Sequence, residues 1–133
     1  MTGYSGTPLP RKLGIKPESR VLLSGAPTGF TLGELPPGAE VHARAGTGAY
    51  DVIVGFCPDA ATMTRRFPQW RKRLAATGGL WVAWPKRSSG VPTDLGDTAV
   101  REFGLGQGLV DNKVAALDDT WSALRFVVRV ADR

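Results

Sequence analysis

Few residues in this chain combine the type and the spacing that chemistry needs. The fullest cluster is Lys86, Arg87, Ser88, Ser89, Gly90, Thr93 and Asp94, in one polar loop. Lys86 and Arg87 offer two cations to an anion. The serine hydroxyls, and the N-terminus of a helix capped at Thr93 or Asp94, would donate to it. A second candidate is Ser24-Gly25-Ala26-Pro27-Thr28-Gly29. There Gly25 lets a ligand approach the backbone, and Thr28 adds a hydroxyl. A third group is Asp111, Lys113, Trp121 and Arg125, polar or amphipathic residues among apolar ones. It reads either as a guarded sheet edge or as an interface or pocket.

Other chemistry is excluded by counting. The single cysteine, Cys57, follows the apolar run Asp51 to Phe56 and reads as a packed thiol. The single histidine, His42, lies in another segment and reads as structural. One Cys and one His supply too few ligands for a structural zinc site, so no metal is expected. No catalytic constellation emerges. The net charge of +5 is compatible with nucleic acid or acidic partners. Arg65, Arg66, Arg71, Lys72 and Arg73 cluster, but no aromatic RNA platform or helix-turn-helix pattern accompanies them. Nucleic-acid binding is therefore not expected. No apolar run is long enough to cross a bilayer, and the first residues lack a signal-peptide core. The expectation is a cytoplasmic protein of one domain, 1–133, with 1–17 as an N-terminal segment.

The elements that would position these residues alternate. A short helix is expected over Leu9 to Leu13. Strands are expected over Arg20 to Ser24, Glu40 to Ala45, Asp51 to Phe56 and Leu80 to Trp84. Thr28 to Leu35 can form a short helix. Met63, Phe67, Trp70 and Leu74 share a helix face, with Pro68 predicting a kink or two short helices. Trp70, Trp81 and Trp84 fall on core-type patterns. Gly78-Gly79 reads as a turn. A helix after Thr93 or Asp94 would bury Leu95, Ala99, Val100 and Phe103. Leu109 to Leu117 and Trp121 to Val130 form a hairpin of two strands. The fold class is α/β: a Rossmann-like three-layer domain with a mainly parallel sheet of about six strands and a C-terminal antiparallel hairpin.

That order resembles a shortened class I methyltransferase domain. VLLSGAP is similar to its first, cofactor-binding strand and EVHARA to its second. DVIVGF resembles the fourth, LAATGGLWVAWPK the fifth, and the closing hairpin the sixth and seventh. One strand–helix unit is missing between EVHARA and DVIVGF. The segments YSGTPLPRKLGIKPESRVLLSGAPTGF, LWVAWPKRSSGVPTDL and GLVDNKVAALDDTWSALRFVVR are also similar to an uncharacterised bacterial family, catalogued as domain of unknown function 3052. That resemblance implies no activity.

The methyltransferase resemblance implies S-adenosylmethionine, but two expected features are altered. Ala26 and Pro27 stand in the first loop, and Pro27 has no backbone donor. The end of the second strand offers Arg44 in place of a carboxylate for the ribose. NAD-type binding is disfavoured on the same grounds. The resulting reading is a non-catalytic domain on a degenerate methyltransferase-like scaffold, without a cofactor, binding a small anionic ligand or a protein. The alternatives are a divergent S-adenosylmethionine-dependent methyltransferase and a nucleic-acid-associated basic protein. A homodimer through an edge strand is a further expectation.

Overall fold

Apolar runs that are buried on both faces form the middle of the sheet. The computed structural model describes residues 7–133. Its strands are β1 (Arg20–Ser24), β2 (Glu40–His42), β3 (Tyr50–Phe56), β4 (Leu74–Pro85), β5 (Leu109–Ala116) and β6 (Trp121–Val128). Its helices are α1 (Leu9–Lys12), α2 (Ala60–Arg73) and α3 (Asp97–Gly106). The sheet order is β2-β1-β3-β4-β6-β5. The first four strands are parallel, and β6 runs antiparallel to both β4 and β5. The expected parallel sheet and terminal hairpin are therefore both present.

Register aligns the core. Leu22, Ile53, Leu80 and Phe126 are paired in one row across β1, β3, β4 and β6. They face a cluster with Met63, Phe67 and Trp70 of α2 and Val100 of α3. Cys57, Trp70, Trp81 and Trp84 are all buried, as their patterns predict. The other face packs Val21, Val54, Phe56 and Trp81 against Leu13, Ile15 and Leu32. There the third layer is the short α1 and irregular chain. The Trp81 indole donates to the Leu13 carbonyl in this layer, at 3.1 Å.

Several sequence expectations are corrected. Thr28 to Leu35 is irregular, because Gly29 and Gly33 take φ of +87° and +82°, outside helical space. α2 is one continuous helix through Pro68. Burial of Met63, Phe67 and Trp70 on either side outweighs the hydrogen bond that proline omits. Gly78-Gly79 lies inside β4 and is not a turn. A Cβ at Gly78 would sit 2.7 Å from the Asp51 carbonyl oxygen, and one at Gly79 would sit 2.4 Å from Arg125 Nε. These glycines admit a close crossing of chains. β2 stops at His42, β5 at Ala116 and β6 at Val128.

The missing strand–helix unit is visible as a short cut. Residues 43–49 carry the chain from β2 to β3, past β1, without a helix. The Tyr50 hydroxyl fastens this stretch: it accepts from the Gly46 amide at 2.8 Å and pairs with His42 Nδ1 at 2.6 Å. His42 also lies 3.4 Å from Glu40, so its role is structural.

Candidate functional site

β1 leads to β2 on one side, while β3 lies on the other. The crevice outside the carboxyl ends of β1 and β3 is thus a topological switch point, where open α/β sheets bind ligands. Ser24 is buried at the end of β1, and Gly25 follows at φ +73°. Arg66, on the second turn of α2, aims Nη1 at Ser24 Oγ, 3.5 Å away. Cys57 lies at the end of β3. Burial pushes its thiol up to about 12, with the Arg66 cation pulling it down and the Asp59 carboxylate pushing it up. A nucleophilic thiolate is absent at neutral pH.

Asp59 caps α2 and accepts from the Thr62 amide at 2.8 Å. Hydrogen bonding from the Thr62 side chain, and then from its amide, holds the carboxyl below the usual range, so it stays ionised. Seven residues separate Asp59 from Arg66, about two turns and about 10 Å along one helix face. An exposed carboxylate and a half-buried guanidinium thus lie about two turns apart on α2, the guanidinium against the end of β1. The sequence offered Arg66 only as one of a basic cluster, and Asp59 only as the end of a loop after the β3 run; neither was singled out for this site. The available signal was an acidic residue right after the β3 run, with a basic residue at i+7.

The polar loop after β4 follows a different plan from the expected one. Thr93 and Asp94 do not cap α3, which starts at Asp97 after Gly96. Thr93 Oγ1 donates to the Pro58 carbonyl, and Asp94 Oδ1 accepts from the Ala60 amide, both at 2.8 Å. They staple the loop to the turn between β3 and α2. Thr93 and Asp94 act across the fold because α2 has free N–H groups at its start. Ser89 Oγ donates to the Lys86 carbonyl at 2.7 Å and shapes a turn over Arg87–Ser89. Its hydroxyl is therefore committed to the loop and not to a ligand. Ser88 and Arg87 are exposed, and Thr28 is exposed in the first loop. Ala99 faces solvent, whereas Leu95 and Val100 are buried.

The third group is dispersed. β5 is a sheet edge and carries an irregularity between Asp111 and Lys113. Asp111 pairs with Arg101 of α3 at 3.0 Å. Lys113 is exposed. Arg125 crosses Gly79 and donates to Asn112 at 3.3 Å, while Trp121 packs edge-to-face on Phe56. Burial lowers the Arg125 pKa, and Arg133 adds to the effect. Of the cluster on α2, Arg65, Arg71 and Lys72 face solvent, while Arg73 donates to the Gly46 carbonyl. Among the described residues no group of three or more His, Cys, Asp or Glu is placed to hold a metal, and no helix is long and apolar enough to cross a membrane.

Solved structures share this fold. A S-adenosylmethionine-dependent methyltransferase from Aquifex aeolicus matches with a TM-score of 0.59 and 14% identity, over 90% of this chain and 87% of its own. The N-methyltransferase NodS from Bradyrhizobium japonicum WM9 matches with a TM-score of 0.54 and 15% identity, over 81% and 84%. Magnesium protoporphyrin IX methyltransferase from Synechocystis PCC 6803, with bound S-adenosylhomocysteine, matches with a TM-score of 0.58 and 10% identity, over 85% and 75%. The fold is the methyltransferase fold. No family model matches the chain, and no curated protein does. The reading of a non-catalytic binding domain is corrected by these structures: proteins that share the fold across most of this chain include a S-adenosylmethionine-dependent methyltransferase and a methyltransferase with bound S-adenosylhomocysteine.

Proposed function

We propose that this protein is a divergent S-adenosylmethionine-dependent methyltransferase whose cofactor crevice lies between the carboxyl ends of β1 and β3. The observation that carries the reading is the contact of Arg66 with Ser24 beside Gly25 at the switch point of this fold, with Asp59 two helical turns before Arg66. The amino-acid end of the cofactor is a zwitterion. Arg66 suits its carboxylate, Asp59 suits its ammonium group, and Gly25 leaves room for close approach. The ribose finds no carboxylate at the end of β2, where Arg44 is exposed. The fit is therefore to the amino-acid end. When bound, the cofactor supplies an electrophilic methyl group. The protein's own part would be to hold and orient the amino-acid end; Cys57, whose thiol burial keeps protonated, takes no part as a nucleophile.

Calorimetry with S-adenosylmethionine and S-adenosylhomocysteine tests the proposal. Micromolar binding of both is expected, with Arg66→Ala weakening both by at least tenfold. No binding of either at millimolar concentration overturns it. Membership of the bacterial family catalogued as domain of unknown function 3052, and a cytoplasmic location, belong to the same proposal. Sequence resemblance and composition are what support them.

A further inference from the structure

The loop from Lys86 to Gly96 lines a half-open cavity of about 590 Å³ beside the end of β4. Trp84 forms an apolar wall, with Leu95, Val91 and Val114 around it. Val91 and Val114 are exposed at 44% and 66%, so apolar surface continues to the rim. Lys86 and Arg87 also line the cavity, against one carboxylate, Asp97. Asp97 is already engaged, accepting from the Thr98 amide at 2.8 Å. Among the described residues the ion pairs are His42–Glu40 and Arg101–Asp111, so neither Lys86 nor Arg87 is neutralised by one. The volume falls within the range of small-molecule sites, and the lining joins an apolar part to a polar one.

The loop is fixed at both ends. Ser89 and Gly90, at φ +77°, set its turn, and the Lys86 amide donates to the Thr120 carbonyl at 2.8 Å. Thr93 and Asp94 bind it to Pro58 and Ala60. Asp59 lies between those two residues. The cavity and the proposed cofactor crevice therefore flank the same turn.

We propose that this cavity binds a small molecule with an apolar body and one anionic group, gripped by Lys86 and Arg87. Its role as the acceptor side of the reaction rests on the methyltransferase reading above; the ligand class rests on the cavity alone. Two dyes that differ in one group test it: 8-anilinonaphthalene-1-sulfonate and its neutral counterpart N-phenyl-1-naphthylamine. Fluorescence titration of the full chain is expected to show the sulfonate binding at least tenfold more tightly. Amide shifts should map to Val91, Thr93, Leu95 and Val114. A double variant, Lys86→Met with Arg87→Met, keeps the apolar stems and should bring the two dyes to parity. Equal affinity in the native chain, or a preference that survives the double variant, overturns the proposal. Shifts confined to the separate groove around Leu9, Ile15 and Leu35 overturn it too. Charge-dependent binding here, with no S-adenosylmethionine binding by calorimetry, supports the ligand class and overturns the acceptor role together with the methyltransferase reading.

Discussion

Gly104 and Gly106 stand on the same helix, and alanine at each should move stability in opposite directions. A Cβ at Gly104 would lie 2.1 Å from Phe126 Cε1 and 2.4 Å from Cζ. The ring would have to retreat by more than about 1 Å to restore ordinary contact. It has little freedom to do so. Phe126 is fully buried and lies edge-to-face on Phe67, which in turn meets Phe103 of the same helix. Overpacking of this kind costs about 1–3 kcal/mol. The gain in helix propensity from glycine to alanine offsets up to about 1 kcal/mol of it. A 2.1 Å approach to a locked ring sets the cost in the upper part of that range, about 2–3 kcal/mol, so the net for Gly104→Ala is a loss of about 1–2 kcal/mol, or a Tm lower by roughly 3–10 °C in a domain of this size. At Gly106 nothing lies within 4 Å, so the propensity gain is unopposed. Gly106→Ala should gain about 0.5 kcal/mol, the low end because the residue closes the helix. Urea and thermal unfolding followed by circular dichroism measure both. If Gly104→Ala is as stable as the native chain, the contact between α3 and β6 is not as described.

Three further outcomes follow from the site. Asp94→Ala removes the acceptor for the Ala60 amide; stability should fall by about 1 kcal/mol, and hydrogen exchange should quicken at Ala60 and in the loop after β4. Cys57 should resist iodoacetamide at pH 8 in the native protein and react once urea exposes it, because burial holds the thiol near 12; rapid native alkylation would contradict that burial. Asp59 has a depressed folded pKa, so its contribution is present above the ordinary carboxylate value of about 4 and lost as pH falls through the lower folded value. The stability gap between the native chain and Asp59→Asn should therefore be steady above pH 5 and shrink below pH 4, as measured by urea midpoints.

The sheet was readable because its strands announce themselves. Val21 to Leu23, Val52 to Phe56 and Leu80 to Trp84 are apolar on both faces, which only a covered parallel sheet can use. The alternation of Leu124, Phe126 and Val128 with Arg125 likewise marked a strand, although Ala123 and Val127 on the Arg125 side are buried too. The errors occurred where a local signal met a tertiary one. Gly78-Gly79 has the composition of a turn, yet it serves Arg125 and Asp51 from other strands. Pro68 has the chemistry of a break, yet Phe67 and Trp70 lock the helix through it. Thr93 and Asp94 have the composition of a cap, and Asp94 does cap a helix, but the one 34 residues earlier in the chain. The pair Ser24 and Arg66 was illegible for the same reason, being 42 residues apart. Distance along the chain hides such pairs; only β1 lying beside β3, with α2 crossing behind, brings them together.

The second face of the sheet has a mechanical consequence. One side is laminated by two helices of 14 and 10 residues, whose hydrogen bonds close within each helix. The other is upholstered with turns, among which the Trp81 indole grips the Leu13 carbonyl. Such a layer opens in patches, at lower free energy than the strands beneath it. Native-state exchange should release amides around Phe30 to Leu35 long before those of β3. The domain is therefore stiff on one flank and compliant on the other, and the compliant flank begins at Gly25, on the lip of the proposed cofactor crevice.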